Sequence, residues 1–444
     1  MNAGDQADPG DRADPGDQVG PAAPQAPQVL PPLHRNRDFV LLWVGQAVSH
    51  LGVQISQTAL PLLVLAVTGS AAKAGIIATV RFIVIYSLQL FAGVLVDRWS
   101  NRVVMLICDA GRAIALGSVA IAIVADHLTY AHLIAVAVCE AVFGVFFGPA
   151  ETPAVRQVVP AAQLKEGIAR NQIRGQIANV VGLPLGGFLF AWHRVAPFAA
   201  DAISYLLSFA AITMIRARLD PLSRDRRPRQ QGLIPEVRRG LSWVWREPFL
   251  RTFTLWLAAA GVIFSAIHLV ATVLALWRGA SGAELGVMYA IVGVAGLIGA
   301  LLIPLVQRKL RSRAIVQLFA CTATVAIAAM LVAPTPYLIG IATAAPMLLG
   351  PSLNAILFGY ILTHAPDDMQ GRVTSATLQI ANSGAFLGPA LFGVLLDSLG
   401  ALATVGCITG IMAVLAAVTF LPGLAQESGG DAVPVLDDTR GGQP

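Results

Sequence analysis

Gly93-Val-Leu-Val-Asp97-Arg98-Trp-Ser-Asn-Arg102 joins two long apolar runs, Ala74 to Val96 before it and Val103 to Ala125 after it. Each run is long enough to cross a bilayer as a helix. Asp97, Arg98 and Arg102 are costly in hydrocarbon, so the turn must emerge at one membrane face. Gly93 has no side chain, which would let the helix end lie close against a neighbouring helix. An ordinary turn obeying the positive-inside distribution would look the same on this stretch alone. The sharper reading comes from an echo much later, Pro304-Leu-Val-Gln-Arg308-Lys309-Leu-Arg311-Ser-Arg313, again after an apolar run. Two membrane halves carrying the same feature point to a duplicated transporter.

Composition supports a chain that lives in lipid. Hydrophobic residues make up 56% and charged residues 12%, with a mean hydropathy of +0.70, far from a soluble globular domain. The formal charge of +5 is spread over the loops between apolar runs rather than gathered on one face. It reads as an orientation signal and predicts no nucleic-acid partner. Cys108, Cys139, Cys321 and Cys407 sit singly inside apolar runs, so neither a disulfide framework nor a metal site is expected.

Residues 1–34 are Pro, Gly, Asp, Gln and Ala with a local near-repeat, and read as a disordered tail. They lack the basic start, apolar run and cleavage site of a signal peptide, so the first helix is expected to be an uncleaved anchor. Spanning helices are predicted at 39–66, 74–96, 103–125, 131–150, 168–191 and 197–216. A second set falls at 249–276, 284–306, 314–333, 336–362, 373–396 and 400–422. The chain thus divides into a bundle at 35–216, a basic linker at 217–248, a bundle at 249–422 and a polar tail at 423–444. The expected fold class is all-α integral membrane, with twelve helices in two pseudo-symmetric six-helix bundles.

With the N-terminus inside, the inner loops collect most arginines, including Arg35, Arg37, Arg156, Arg372 and the run in the linker. The outer loops hold only Lys73, Arg194 and Arg278. That asymmetry predicts a multi-pass protein of the plasma (inner) membrane with both termini cytoplasmic. The halves also repeat one another. Gly75 to Arg102 aligns with Gly286 to Arg313 at constant offset, and Gln176-Ile-Ala-Asn179 recurs as Gln379-Ile-Ala-Asn382. Parallel repeats place a substrate site between the halves, near mid-membrane.

The opening stretch resembles the loop signature of the major facilitator superfamily, roughly G-x-L-x-D-R-x-G-R-R, with Ser100 and Asn101 as departures. The resemblance implies that Asp97 and Arg98 latch the inner face, gripping neighbouring helix ends that include the eleventh. Phe147-Gly148-Pro149-Ala150, Pro160 to Leu164, Gly182 to Gly187 and Pro197 to Tyr205 look like the branch of macrolide-efflux and enterobactin-exporter proteins. Ala178, Gly182, Pro184, Gly186 and Gly187 loosely match the antiporter pattern of the fifth helix, and Gly384, Gly388, Pro389 and Gly393 match its start in the eleventh. This favours export, although small residues at such spacing also serve plain helix packing.

Ionisable groups deep in lipid are functional candidates by default. Glu140 and Arg112 lie ~15 Å and ~14 Å from the inner face by helical rise, which suggests an ion pair or a glutamate that takes up a proton when the pair opens. Arg81 is a third proton-coupling candidate. His50, Gln54 and Gln57 share one face of the first helix, and with Phe143, Asn179, His268, Asn354 and Asn382 they are candidates to line a substrate cavity. Each also has a plain reading as interhelical hydrogen bonding or packing. Asp109 is expected to pair with Arg112 or to support the loop with Gly93, Asp97, Arg98 and Arg102.

No phosphate-binding Gly-x4-Gly-Lys-Ser/Thr loop appears, and no extramembrane segment is large enough for an active site. No cofactor is expected; a proton gradient would supply the energy. The sequence therefore predicts a monomeric, non-enzymatic secondary transporter exporting a small amphipathic molecule, an antibiotic, other drug or siderophore, by alternating access. The alternatives are uptake or facilitated diffusion of a small metabolite, or a non-transporting membrane sensor or scaffold.

Overall fold

A computed structural model describes residues 31–96, 99–217, 219, 233–367 and 369–421. Among these, twelve helical segments are long and apolar enough to cross a membrane. The first six are Arg37–Thr68, Ala71–Gln89 (its helix runs to Val96), Asn101–Val124, Tyr130–Val158, Ala161–Trp192 and Ala196–Met214. The second six are Pro248–Trp277, Gly282–Lys309, Ser312–Val332, Pro336–His364, Gln370–Leu399 and Ala401–Val418. Twelve alternating crossings place the start of the first span and the end of the twelfth on one face, the basic face; the other is the distal face.

Local chemistry sets the helix ends. The Asn36 side chain accepts from the Phe39 N–H, and Thr129 and Thr335 cap the fourth and tenth spans in the same way. Ser281 and Glu284 form a reciprocal capping box on the eighth. Gly69 ends the first span with φ of 65°, and Gly400 turns between the eleventh and twelfth with φ of 81°, conformations that favour glycine. The tenth and eleventh spans are broken by short 3-10 segments at Ala345–Leu348 and Ser383–Phe386. Pro346, Pro351 and Pro389 lie in or just after these breaks, where a missing N–H and the ring disfavour a continuous ladder.

In the first half, the first span packs against the fifth and sixth, the third against the fourth and sixth, and the second against the fourth. The Gln46 amide donates to Ser208 Oγ at 3.0 Å, and the Trp43 indole to the Arg170 carbonyl at 3.3 Å. The halves meet along two seams, fifth span against eighth and second against eleventh. Both are built from small residues on the distal side. A Cβ on Gly187 would lie 2.7 Å from the Gly286 Cα, and one on Gly393 would lie 2.6 Å from the Ala71 carbonyl oxygen. The distal face is therefore closed.

Several expectations need correction. The fourth helix runs on through Pro149 and Pro153 to Val158 rather than stopping near residue 150. The linker holds a fourteen-residue helix, Leu233–Arg246, packed on the eleventh span. Leu33 is fully buried and Pro31 accepts from Gln163 at 3.0 Å, so the end of the predicted tail is docked; residues 1–30 and 423–444 lie outside the described residues. A Cβ on Gly93 would meet nothing within 4 Å, so no close helix approach needs that glycine here. The named contacts of the second span with the eleventh are at its other end, around Ala71, Gly75 and Thr79.

Candidate functional site: a cavity and a buried polar chain in the first half

A cavity of about 470 Å³ lies in the basic-face half of the first bundle. The first span supplies Gln46, Ser49, His50, Val53 and Gln54; the third supplies Arg112. The fourth contributes Gly144, Phe147, Gly148 and Glu151, and the fifth Gly175, Ala178 and Asn179. Helical spacing explains the first-span set, because positions 46, 50 and 53–54 recur on one face. Polar and apolar groups share the wall, which suits an amphipathic molecule. The Gln54 amide donates to Asn179 Oδ1 at 2.5 Å, tying the two spans where Gly182 lets them approach: a Cβ there would lie 2.5 Å from the Gln54 Cβ.

Charge around this cavity is organised by one ion pair and one arginine. Arg174 Nη2 donates to Glu151 Oε1 at 2.6 Å, with side chains 4% and 14% exposed. This pair bridges the fourth and fifth spans, and the Arg174 Nε and Nη1 have no other partner among the described residues. Buried pairing of this kind is retained because a lone charge would be costly. The His50 imidazole lies within electrostatic reach of Arg174, Glu151 and Arg112.

A second layer sits behind the cavity. The Arg112 guanidinium lies 5.5 Å from the Phe147 ring centroid and 5.3 Å from that of Tyr205, geometry that favours cation–π attraction. Gly144 makes room for it, since a Cβ there would lie 2.6 Å from Arg112 Nη2. The fully buried Tyr205 donates its hydroxyl hydrogen to Glu140 Oε1 at 3.0 Å. One helical turn earlier on the same span, Asp201 is fully buried. Its Oδ1 accepts from Ser204 Oγ at 3.2 Å, and its Oδ2 has no partner among the described residues. Gly52 leaves the space for it, because a Cβ would collide with Asp201 Oδ1 and Ser204 Oγ. Beyond Glu140, a void of about 10 Å³ is lined by Ser56, Arg81 and Glu140 together with apolar groups, about the size of one water molecule.

The predicted residues divide accordingly. His50, Gln54, Asn179 and Arg112 line the cavity, and Arg81 and Glu140 share the small void. Arg112 and Glu140 form no ion pair among the described residues; Tyr205 links them, its ring against Arg112 and its hydroxyl on Glu140. Nor does Asp109 pair with Arg112: its carboxylate is fully buried, with Ser208, Arg112 and Glu151 as electrostatic neighbours. Gln57 is exposed, and Phe143 fills the space beside Gly111 instead of the cavity wall. His268 stacks on Tyr289 at 6.0 Å, Asn354 is exposed, and Asn382 bonds back to the Leu378 carbonyl. These three belong to the second half and do not line the cavity. Of the loop, Arg102 donates to the Thr213 carbonyl at 2.5 Å and Ser100 to that of Leu219 at 3.3 Å. Asp97 and Arg98 lie outside the described residues.

Four participants were not singled out from the sequence: Glu151, Arg174, Asp201 and Tyr205. Asp201 stood inside a predicted span and met the rule that an ionisable group in lipid is a functional candidate. Arg174 met it as well. Glu151 lies just past the predicted end of the fourth span, on the stretch of helix that continues to Val158.

The family model of the Major Facilitator Superfamily matches residues 42–389. The chain belongs to that superfamily. It is similar to the multidrug efflux pump Tap of Mycobacterium bovis, 26% identical over 382 residues, covering 84% of this chain and 90% of that protein. The Tap pump of Mycolicibacterium fortuitum is 27% identical over 387 residues, covering 84% and 93%. Among solved structures, the nucleoside transporter NupG superposes with a TM-score of 0.72 at 13% identity, over 86% of this chain and 98% of that one. An inward-facing, unoccupied bacterial homologue of the human lysosomal transporter Spinster gives 0.67 at 14% identity, over 88% and 97%. The two structural likenesses concern the fold. Members of this superfamily are transporters rather than enzymes, and the twelve apolar helices make this one a multi-pass membrane protein.

Proposed function

We propose that this transporter exports a small amphipathic molecule, such as an antibiotic, other drug or siderophore, in exchange for protons entering down their gradient. The observation that carries this reading is the polar chain Arg112–Tyr205–Glu140, with its tyrosine fully buried and the buried Asp201 one turn away, behind the cavity. Ionisable groups at membrane depth that face one another are candidates for coupling by default. Similarity to the Tap efflux pumps favours export.

In the conformation described, the closed distal seams and the cavity near the basic face correspond to loading from the inside. Substrate settles against Phe147 and Val53, with its polar end towards Arg112, His50 and Glu151. Proton uptake at Glu140 removes the negative charge that Tyr205 and Arg112 face. Arg112 is then free to turn to the cavity, so that proton occupancy and substrate occupancy bias the same side chain. The two halves rock to open the distal face, with the proton gradient supplying the energy and no bound cofactor. The protein works as a monomer in the plasma (inner) membrane, with the basic face and both termini cytoplasmic.

The test is Glu140→Gln in proteoliposomes, with a panel of antibiotics and siderophores as probes. Gradient-driven transport of a compound moved by the wild type should fall at least about tenfold, while counterflow exchange without a gradient persists. Undiminished gradient-driven transport by Glu140→Gln would remove Glu140 as the proton carrier. Wild-type transport without any substrate-induced pH change would favour facilitated diffusion instead.

A further inference from the structure

The two seams closing the distal face differ chemically. The fifth–eighth seam is a contact of small groups: Gly187 on Gly286, and Gly282 facing Ala191, whose Cβ would lie 2.7 Å from a Cβ on that glycine. The second–eleventh seam has the same close approach and something more. Asp397, near the distal end of the eleventh span, reaches across to the start of the second. Its carboxylate accepts from the Ser70 hydroxyl at 2.5 Å, the Ala71 N–H at 2.8 Å and the Ala72 N–H at 3.1 Å. Ser70 Oγ also accepts from the Lys73 N–H at 3.2 Å, and the Lys73 charge lies within reach of the carboxylate. The Lys73 Nζ is itself held 5.6 Å from the Tyr130 ring centroid.

The first N–H groups of a helix have no partner within it, and that end carries partial positive charge. At four other spans such groups are met locally, by Asn36, Thr129, Ser281 and Thr335. At the second span the cap comes from the other half of the molecule, more than three hundred residues later in the chain. Two further bonds reinforce it about two turns deeper along the second span: Thr79 Oγ1 donates to the Phe386 carbonyl at 2.8 Å and accepts from the Ala390 N–H at 3.1 Å. A cap supplied across the halves can exist only while they are together on this side. Opening the distal face must leave both the carboxylate and the helix end to find water.

We infer that Asp397 is a latch for the distal gate: by capping the second span from the opposite half, it sets the balance between distal-closed and distal-open states. The sequence duplication makes the latch one-sided. With the seam glycines Gly187 and Gly393 matched, the position corresponding to Asp397 is Ala191, which offers no carboxylate to the eighth span. The second–eleventh seam is thus clamped by charge and the fifth–eighth seam by fit alone. This role stands whether the cargo moves outward or inward, and whether or not protons drive it.

The experiment is double electron–electron resonance on the full chain in lipid nanodiscs. Spin labels are placed at the exposed distal-loop positions His127 and Pro334, in a background with the four native cysteines replaced. Asp397→Asn removes the charge and should lower the closed-to-open ratio by about tenfold, ~1.4 kcal/mol, seen as growth of the longer-distance population. Ser70→Ala removes one of the three bonds and should give a smaller shift in the same direction; Asp397→Glu should restore most of the closed population. A variant that loses its fold fails size-exclusion chromatography, and Ser70→Ala then carries the test. Distance distributions unchanged in both Asp397→Asn and Ser70→Ala would overturn the latch. Loss of gradient-driven transport in Glu140→Gln with an unaltered distal balance leaves it standing, so failure of the proton reading is separately visible.

Discussion

Tyr205 is the residue on which the polar chain turns. Its ring takes the Arg112 charge and its hydroxyl serves Glu140, so Tyr205→Phe keeps the first contact and deletes the second. Glu140 then loses a buried donor, which costs about 1–3 kcal/mol. The expected outcome is a lower thermal midpoint and weakened gradient-driven transport with counterflow retained; unchanged coupling in Tyr205→Phe would show that the hydroxyl takes no part. At the ion pair, Arg174→Ala leaves Glu151 without its partner in a largely buried site. Breaking such a pair typically destabilises by about 3–5 kcal/mol. Removing both charges in Glu151→Gln with Arg174→Gln should recover much of that loss in a thermal unfolding series. A double variant as unstable as Arg174→Ala would mean that packing, not charge, holds the fourth and fifth spans here. The sequence made Arg112, Glu140 and Arg81 visible because charge in lipid is rare. It did not reveal that Tyr205 stands between two of them, because one tyrosine among apolar residues has the same pattern whatever it touches.

Among the elements, the fifth and eleventh spans carry the same Gln-Ile-Ala-Asn stretch and use it differently. In the fifth the helix continues past Asn179, whose side chain accepts from Gln54. In the eleventh the helix breaks after Ala381, and Asn382 turns back on its own backbone. The fifth stays continuous through its own Pro184, whereas Gly384 and Gly388 of the eleventh press against the Ala258 and Val262 carbonyls, contacts not legible without knowing which helix lies opposite. The glycines at the seams were legible as small residues, but not which neighbour each admits. Gly187→Ala places a methyl group against the Gly286 backbone, where it cannot fit unless the fifth and eighth spans separate. It should raise labelling of distal-side cysteines by a membrane-impermeant maleimide and slow transport. Wild-type labelling in Gly187→Ala would mean that the seam is looser than the structure has it.

For the whole molecule, the twelve spans and the two-half plan were readable because hydrophobic runs of membrane length leave few alternatives in lipid. The fourth span was cut short because prolines and charges usually mark a helix end, whereas here neighbouring helices keep Pro149 and Pro153 within the run. The linker helix carries a strong amphipathic pattern of its own, but its density of arginines reads as a solvated linker. A lone polar residue near mid-membrane, such as His268 or Asn354, does not say which side of its helix faces the centre, so its neighbours are not legible from sequence. Orientation follows the arginines, so a membrane-impermeant reagent should label cysteines placed at Arg308 and Arg156 only from the cytoplasmic side; labelling from opposite sides would break the two-half topology. Coupling itself is tested most directly by proton movement. Purified wild-type protein in liposomes carrying a pH-sensitive dye should show a proton flux that starts when a transported compound is added, runs opposite to it, and is lost in Glu140→Gln. Transport of that compound with no accompanying proton flux, or with flux unchanged in Glu140→Gln, would contradict proton-coupled export through the first half.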